Sequence, residues 1–358
     1  MASIEVRQLH KRYGRITALQ GLDFFAEDGE FFCLLGAPGA GKTTTFRIIA
    51  GLERPDMGEV WIGGELMNLI PAQRRDVAMV FEDVALYPHM SAFDNIAHPL
   101  RLRRLPEGEI RRRVGEIAEL LRISHLLHRL PHTYSGGERR RVAIARAMVR
   151  RPRVLLLDQA FTDLDAKIRQ EMAAELKRLQ RETGQTMIYA THDFEEAVAM
   201  ADRILVIREG RGVQVDEPQV LYDRPATAFV ASFLGSPGMN LLRCQAIPEP
   251  EGTRFIHADF TLLSPVQLGE KREVLLGIRP EHLQILLSRA PGSVEAEVEI
   301  IQPLGLERII DLRAGPFVLK AIASIDLPLQ LRQRVWLLWP PEHLFVFDAA
   351  TEERIYPK

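Results

Sequence analysis

"GAPGAGKTT", residues 36–44, follows the apolar run "EFFCLLG" (30–36) and leads into "KTTTFRIIAGL" (42–52). A buried strand, a glycine-rich turn and a helix therefore succeed one another. The stretch fits G-x-x-x-x-G-K-[ST], with Gly36, Gly41, Lys42 and Thr43 in register. Glycines at these points let backbone N–H groups of Ala37, Pro38's neighbours, Gly39, Ala40 and Thr44 close around phosphate oxygens, where side chains would clash. The helix N-terminus adds a dipole favourable to an anion. Lys42 would reach the β and γ phosphates and the Thr43 hydroxyl would join Mg²⁺, so the reading is an ATP or GTP site in an α/β P-loop nucleotide-binding domain.

Outward from the loop the texture agrees. "RDVAMVFE" (75–82), "RVLLLD" (153–158), "QTMIYATH" (185–192) and "RILVIREG" (203–210) read as further core strands. An Arg- and Leu-rich stretch, about 91–150, reads as an inserted helical subdomain, and "EMAAELKRLQRETG" as a helix stopping at Gly184. Asp158, at the end of four aliphatic residues, is placed to hold Mg²⁺ beside Thr43.

After "SFLGSPGMN" (232–240) short strand-like runs alternate with Pro- and Gly-bearing turns. This predicts residues 1–235 as the nucleotide-binding domain and 236–358 as a small all-β, OB-like, barrel-like domain. "PEHL" occurs at 280–283 and again at 341–344, each time after a strand-like run, which predicts two similar β units.

A chain of 358 residues, 46% hydrophobic and 26% charged, is too long for one ordinary core. Its net charge of −2 gives no pull toward nucleic acid, and the runs Arg111–Arg113 and Arg139–Arg141 read as solvated helix faces. Cys33 and Cys244 lie in separate apolar runs and support neither a disulfide framework nor a metal cluster. The N-terminus lacks the apolar core of a signal peptide, and no run approaches the ~18 apolar residues of a membrane span. Any membrane role is therefore expected to come through a partner, and the two isolated cysteines suit a reducing cytoplasm.

"YSGGERRRVAIARAM" (134–148) is the most specific stretch. Ser135 and Glu138 form a capping-box pattern, with Gly136 and Gly137 leaving the helix start bare. With the P-loop, this resembles the ATP-binding subunit of ABC transporters, whose signature is Ser-Gly-Gly-Gln. The resemblance implies two subunits closed head to tail, each capping with its signature the γ-phosphate held by the other's P-loop. It implies that Tyr13 in "KRYG" stacks on adenine, that His192 in "YATHD" is the switch histidine, and that Asp165 in "TDLDA" belongs to the loop through which the subunits sense each other. "LLGIRPEHL" (275–283) and its surroundings resemble the regulatory domain of importer ATPases for maltose-type sugars and glycerol phosphate. Two transmembrane permease subunits and, indirectly, an extracytoplasmic solute-binding protein are the implied partners. The single P-loop and the β tail set aside the ABC ATPases of ribosomes and DNA repair.

Four positions depart from that family. Gln159 stands where it has a catalytic glutamate, Ala160 where it has proline, Glu82 where it has the loop glutamine, and Glu138 ends the signature. A trap made by substitution would change residue 159 alone, so the set fits natural divergence. A glutamine cannot take a proton from water, and general-base contributions are typically ~10²–10⁴-fold. The resemblance thus predicts an impaired site and pairing with a second, non-identical ATPase subunit. The alternatives are an exchange of roles between Glu82 and Gln159, with Glu82 also a metal ligand, and a non-hydrolysing regulatory ATP-binding module.

Overall fold

The computed structural model describes residues 1–358 except 162, 163, 259, 357 and 358. The chain divides into two compact units, Met1–Gln219 and Val220–Lys358.

The first unit carries, in chain order, β1 (Ile4–Tyr13), β2 (Ile16–Ala26), β3 (Phe31–Leu35), α1 (Lys42–Ile49), β4 (Met57–Ile62), β5 (Glu65–Leu66), β6 (Val77–Val80), α2 (Ala92–Leu102), α3 (Glu107–Leu120), α4 (Gly136–Met148), β7 (Val154–Asp158), α5 (Ala166–Thr183), β8 (Thr186–Thr191), α6 (Phe194–Met200), β9 (Arg203–Arg208) and β10 (Arg211–Asp216). Six strands form one sheet in the order β10-β9-β3-β8-β7-β6, parallel except where β9 meets β10. Every residue of β3, β7 and β8 is buried, as expected of parallel strands covered on both faces.

A second, four-stranded antiparallel sheet, β2-β1-β4-β5, shares this core. The sequence reading missed it: β1 alternates buried and exposed residues only irregularly because register shifts interrupt its pairing with β2. Ile4, Leu9 and Val60 from this sheet join Phe32, Leu156 and Ile188 from the other, with Phe46 of α1 among them.

Helices α2, α3 and α4 pack on one another within the expected 91–150 stretch. Helix α5 ends where its sequence says: Gly184 takes φ 62°, and its N–H bonds the Gln180 carbonyl. Arg112 is a solvated pair former, bonded to Glu109 and Glu116 at 2.7 and 2.5 Å. Arg140 corrects the other run. It is buried and donates to the Phe81 carbonyl at 2.9 Å, so the middle arginine of 139–141 is an internal strut.

The second unit begins within α7 (Pro218–Asp223) and continues with α8 (Ala228–Phe233), β11 (Asn240–Glu249), β12 (Gly252–His257), β13 (Phe260–Ser264), β14 (Arg272–Ile278), β15 (Gln284–Leu286), β16 (Val294–Leu304), β17 (Glu307–Ala314), β18 (Phe317–Ser324), β19 (Arg334–Leu338), β20 (Leu344–Asp348) and β21 (Arg354–Tyr356). The division at 219/220 falls earlier than the expected 235. Residues 220–235 go with the β unit for two reasons. The backbone of Ala226 and Ala228 bonds that of Arg354 and Glu352. The buried Arg279 guanidinium donates to the carbonyls of Tyr222 at 2.6 Å and Leu234 at 2.8 Å, lying 3.5 Å from the centre of the Tyr222 ring.

Arg279→Met keeps the stem volume but strands those carbonyls. An unsatisfied buried polar group costs about 1–3 kcal/mol. The variant is therefore expected to be at least about 2 kcal/mol less stable in denaturant titration of the full chain. An unchanged midpoint would show that the guanidinium does not hold the segment.

All-β structure follows, in two sheets ordered β13-β12-β11-β14-β20-β21 and β15-β19-β16-β17-β18. The two "PEHL" tetrapeptides have a physical basis here. The first carries the chain from β14 in one sheet to β15 in the other, and the second carries it back from β19 to β20. β14 pairs with β20 and β15 with β19, so the two crossings are reciprocal. Their third residues meet: the His282 and His343 rings stack with centroids 3.7 Å apart and planes 9° from parallel. Their leucines, Leu283 and Leu344, enter one core. Cys33 and Cys244 are both free and buried, and burial pushes the Cys244 thiol up to about 12.

Candidate functional site

Strand β3 delivers Gly36 to the sheet's carboxyl edge, where its N–H bonds the Thr191 carbonyl of the neighbouring β8 at 3.2 Å. Ala37, Pro38 and Gly39 are exposed and Ala40 is buried. Gly41 has φ 104°, and a Cβ there would lie 2.6 Å from the Ala18 carbonyl oxygen. No other residue fits that approach. The chain then enters α1 with Lys42, Thr43 and Thr44.

Lys42 is 4% exposed, and its ammonium donates to the carbonyls of Gly36 at 2.6 Å and Ala37 at 3.0 Å. Burial pulls its pKa down, while the carboxylate of Asp158 and, more weakly, that of Glu82 oppose the shift. The cation is thus held inside the loop by groups that phosphate oxygens can replace. The Thr43 side chain lies close enough to the Asp158 carboxyl to favour its charged form. Asp158 is 2% exposed, its Oδ1 has no hydrogen-bond partner, and burial raises its pKa, outweighing the nearby Thr43 side chain.

Beside it, Gln159 has φ 46°, and its N–H bonds the Ala190 carbonyl at 2.8 Å. Its amide bridges two side chains. Nε2 donates to Glu82 Oε2 at 3.0 Å, and Oε1 faces His192 Nδ1 at 3.2 Å. A carboxylate only accepts, which fixes the amide's orientation and makes His192 Nδ1 the donor. Residues 77 and 33 positions away in sequence thus meet at one point.

The signature helix start is built as its sequence predicts. Ser135 Oγ accepts from the Glu138 N–H at 3.2 Å, and Glu138 Oε2 accepts from the Ser135 N–H at 2.8 Å, completing the capping box. The backbone bond from Ser135, then the His125 ring, hold the Glu138 carboxyl below its usual range. Gly136 is exposed. Gly137 is buried, and a Cβ there would lie 3.1 Å from Ile168 Cγ2, so of the two glycines only Gly136 leaves the helix start bare.

Asp165 caps α5, accepting from the Ile168 N–H at 3.0 Å; Thr162 and Asp163 of the same loop lie outside the described residues. Tyr13 is half exposed at the end of β1, with the Lys11 ammonium 5.3 Å from its ring centre. It pairs in register with Ile16 of β2, the strand whose Ala18 abuts Gly41.

Two positioning residues were not read from the sequence. Arg140, through Phe81, anchors the loop that carries Glu82 to the signature helix. Arg169, one turn into α5, donates to Asp193 at 2.9 Å and to the Leu164 carbonyl at 3.1 Å. It also pairs with Glu196 at 3.5 Å, whose buried carboxylate accepts from Tyr189 and Thr191 at 2.5 and 2.7 Å. Arg169 thereby ties the segment around His192 to the start of α5. The only sequence signal for it was an acidic residue on each side of a strand-to-helix turn, a common cap pattern.

Comparison with known proteins gives the family. The ABC transporter family profile matches residues 19–162, a MalK OB fold domain residues 235–283, and a TOBE domain residues 276–347. A trehalose/maltose import ATP-binding protein of Thermococcus litoralis is 44% identical, the alignment spanning 99% of this chain and 100% of that one. The chain belongs to the ABC transporter family.

A glycerol-3-phosphate import ATP-binding protein of Agrobacterium fabrum is 41% identical over 99% of this ABC protein and 95% of its own length. The solved dimeric ABC transporter cassette MJ0796 is 30% identical, with a TM-score of 0.55, over 60% of this chain and 98% of that one. The α/β P-loop fold followed by an all-β, OB-like region, read from the sequence, is the architecture found, and a TOBE domain is matched within that region. The ABC family carries nucleotide binding and ATP hydrolysis with it.

Among the described residues of this ABC protein no cluster of three or more His, Cys, Asp or Glu is arranged to hold a metal. The donor set nonetheless fits Mg²⁺ as companion of a bound nucleotide. The Thr43 hydroxyl and the unpartnered Asp158 Oδ1 are two hard oxygens, and Mg²⁺ takes the rest of its shell from phosphates and water. Bound there, the ion would neutralise charge on the β and γ phosphates. Glu82, expected as a further ligand, accepts a hydrogen bond from Gln159 through Oε2. No helix among the described residues is long and apolar enough to cross a membrane.

Proposed function

We propose that this chain is the ATP-hydrolysing subunit of an importer for a carbohydrate, a polyol or a glycerol phosphate. In this reading it binds Mg-ATP, closes head to tail on a second ATPase subunit and drives two membrane-embedded permease subunits. The solute reaches the permease from an extracytoplasmic binding protein, and the chain sits peripherally on the cytoplasmic face. Tyr13 receives the base; the loop 36–44 and Lys42 receive the phosphates; Thr43 and Asp158 receive the ion. Ser135 and Gly136 present the α4 N-terminus to the nucleotide of the partner. The observation that supports this best is the convergence of Lys42, Asp158, Gln159 and His192 at one sheet edge, in a chain similar over nearly its whole length to import ATP-binding proteins.

The sequence favoured a non-identical partner, on the premise that Gln159 leaves the site without a second carboxylate. Glu82, 3.0 Å from Gln159, weakens that premise. We take the partner to be a second copy of this chain. A non-hydrolysing regulatory module has no specific observation in its favour.

Sedimentation of the full-length chain tests the pairing. A monomer without nucleotide and a dimer with Mg-ATP or an uncleavable analogue are expected. A chain that stays monomeric alone, and dimerises only with a different ATPase from the same importer, would return the reading to the asymmetric pair.

A further inference from the structure

We propose that Glu82 is the carboxylate that takes the proton from the attacking water, and that Gln159 is its positioning residue. The inference rests on the ATPase reading above and names the base of that same site.

Hydrolysis of a phosphoanhydride needs a group that can accept a proton from water and is not already committed. The Gln159 amide is too weakly basic to take that proton. Asp158 is buried, lies under the influence of Thr43 and the Lys42 charge, and keeps a bare oxygen suited to a cation. His192 donates its Nδ1 proton to Gln159 Oε1 and keeps a lone pair only on Nε2, on the side of the ring away from that contact. Glu82 remains: exposed, hydrogen-bonded through Oε2 to Gln159, and within reach of the Lys42 and Asp158 charges.

The surroundings aim it. Phe81, the residue before it, is held by the buried Arg140 of α4. Gln159 is itself fixed by its backbone bond to Ala190 and by His192. An amide between a carboxylate and an imidazole is donor to one and acceptor from the other, so it locks the carboxylate without neutralising it. In the step proposed, a water O–H proton passes to Glu82, and the water oxygen bonds the γ-phosphorus. The bond from that phosphorus to the β–γ bridging oxygen breaks, ADP leaves with the electron pair, and Glu82 returns its proton to phosphate or solvent.

The reciprocal chemistry of the pair gives the test. In Glu82→Gln the site loses its uncommitted carboxylate but keeps size and hydrogen bonding. In Glu82→Gln/Gln159→Glu the carboxylate returns on the other side of the same hydrogen bond. Gln159→Glu alone places two carboxylates at hydrogen-bond distance, where they share a proton.

Phosphate release and Mg-ATP affinity are measured on the full-length chain, with the importer's permease present where it is needed for turnover. Glu82→Gln is expected to lower kcat about a hundredfold or more. It should bind Mg-ATP within threefold of the parent, and bound nucleotide recovered after incubation should be ATP rather than ADP. The double variant is expected to recover to within about tenfold of the parent, the scale on which a repositioned base still works. Gln159→Glu should move the acid limb of the pH–rate profile to higher pH.

Hydrolysis by Glu82→Gln within tenfold of the parent overturns the assignment. So does a loss that the double variant fails to recover, or one accompanied by lost Mg-ATP binding, since Glu82 then holds the nucleotide or ion. A parent that does not hydrolyse while Gln159→Glu does also overturns it, in favour of an impaired site. Failure of the parent to bind Mg-ATP at all would instead defeat the ATPase reading itself.

Discussion

Lys42→Ala is expected to lower the affinity of the full-length chain for Mg-ATP about a hundredfold or more, with its fold intact. Hydrogen bonds to charged groups contribute about 1.5–3 kcal/mol each, and two phosphate contacts at that scale exceed the roughly 2.8 kcal/mol that a hundredfold represents. No other ammonium or guanidinium bonds the loop carbonyls of Gly36 and Ala37 among the described residues, so none is positioned to replace it.

Survival of the fold follows from the same geometry. Burial disfavours the Lys42 charge, and its removal relieves that penalty while leaving two loop carbonyls next to exposed residues. Calorimetric titration with Mg-ATP measures the first expectation and a thermal melt without nucleotide the second. Affinity within threefold of the parent would show that the phosphates do not sit on this loop. A melt lowered by more than a few degrees would make Lys42 a structural cation and leave the loop without its assigned role.

The parts of this chain that were legible in the sequence are those where one local rule suffices. The P-loop needed only glycine spacing between a strand and a helix. The Ser135–Glu138 capping box and the Gly184 stop needed only backbone groups within one turn. All-apolar β3, β7 and β8 announced a sheet covered on both faces.

What was not legible depends on register or on distance along the chain. The four-stranded antiparallel sheet hid behind the bulged pairing of β1 and β2. Arg140 looked like one of three solvated arginines because sequence does not say which helix face meets Phe81. The 219/220 division depends on contacts far apart in the chain, Arg279 reaching back to Tyr222 and Ala226 and Ala228 bonding the backbone of Arg354 and Glu352. Most consequential was the contact between Gln159 and Glu82, which lie 77 positions apart. As separate departures from a family pattern they suggested a disabled site. As a bonded pair they retain a carboxylate and an amide at one place.

The signature gives the second large effect. Gly136→Asp is expected to lower solute uptake by the reconstituted importer about a hundredfold or more, while this chain still binds Mg-ATP through Lys42. Gly136 is the exposed first residue of α4, behind the Ser135 cap. A carboxylate there suits the chain's own helix, because an anion in the first turn is stabilising by about 0.3–1 kcal/mol. A Cβ at this position meets only the flexible end of Leu164, at 3.2 Å.

The same carboxylate would oppose the γ-phosphate of the partner's nucleotide when two subunits close. Two like charges about 4 Å apart near a protein surface repel by roughly 4 kcal/mol, enough for a loss beyond a hundredfold. The change therefore separates folding from closure. Gly137→Asp would not, because that position is buried against Ile168 and the carboxylate would enter the packing between α4 and α5. Gly136→Ala, which adds volume without charge, should retain most of the uptake. Normal uptake by Gly136→Asp, or ATP-driven dimerisation as tight as that of the parent, would mean that the α4 N-terminus does not face the partner's nucleotide. An equal collapse in Gly136→Ala would assign the loss to crowding against Leu164 rather than to charge.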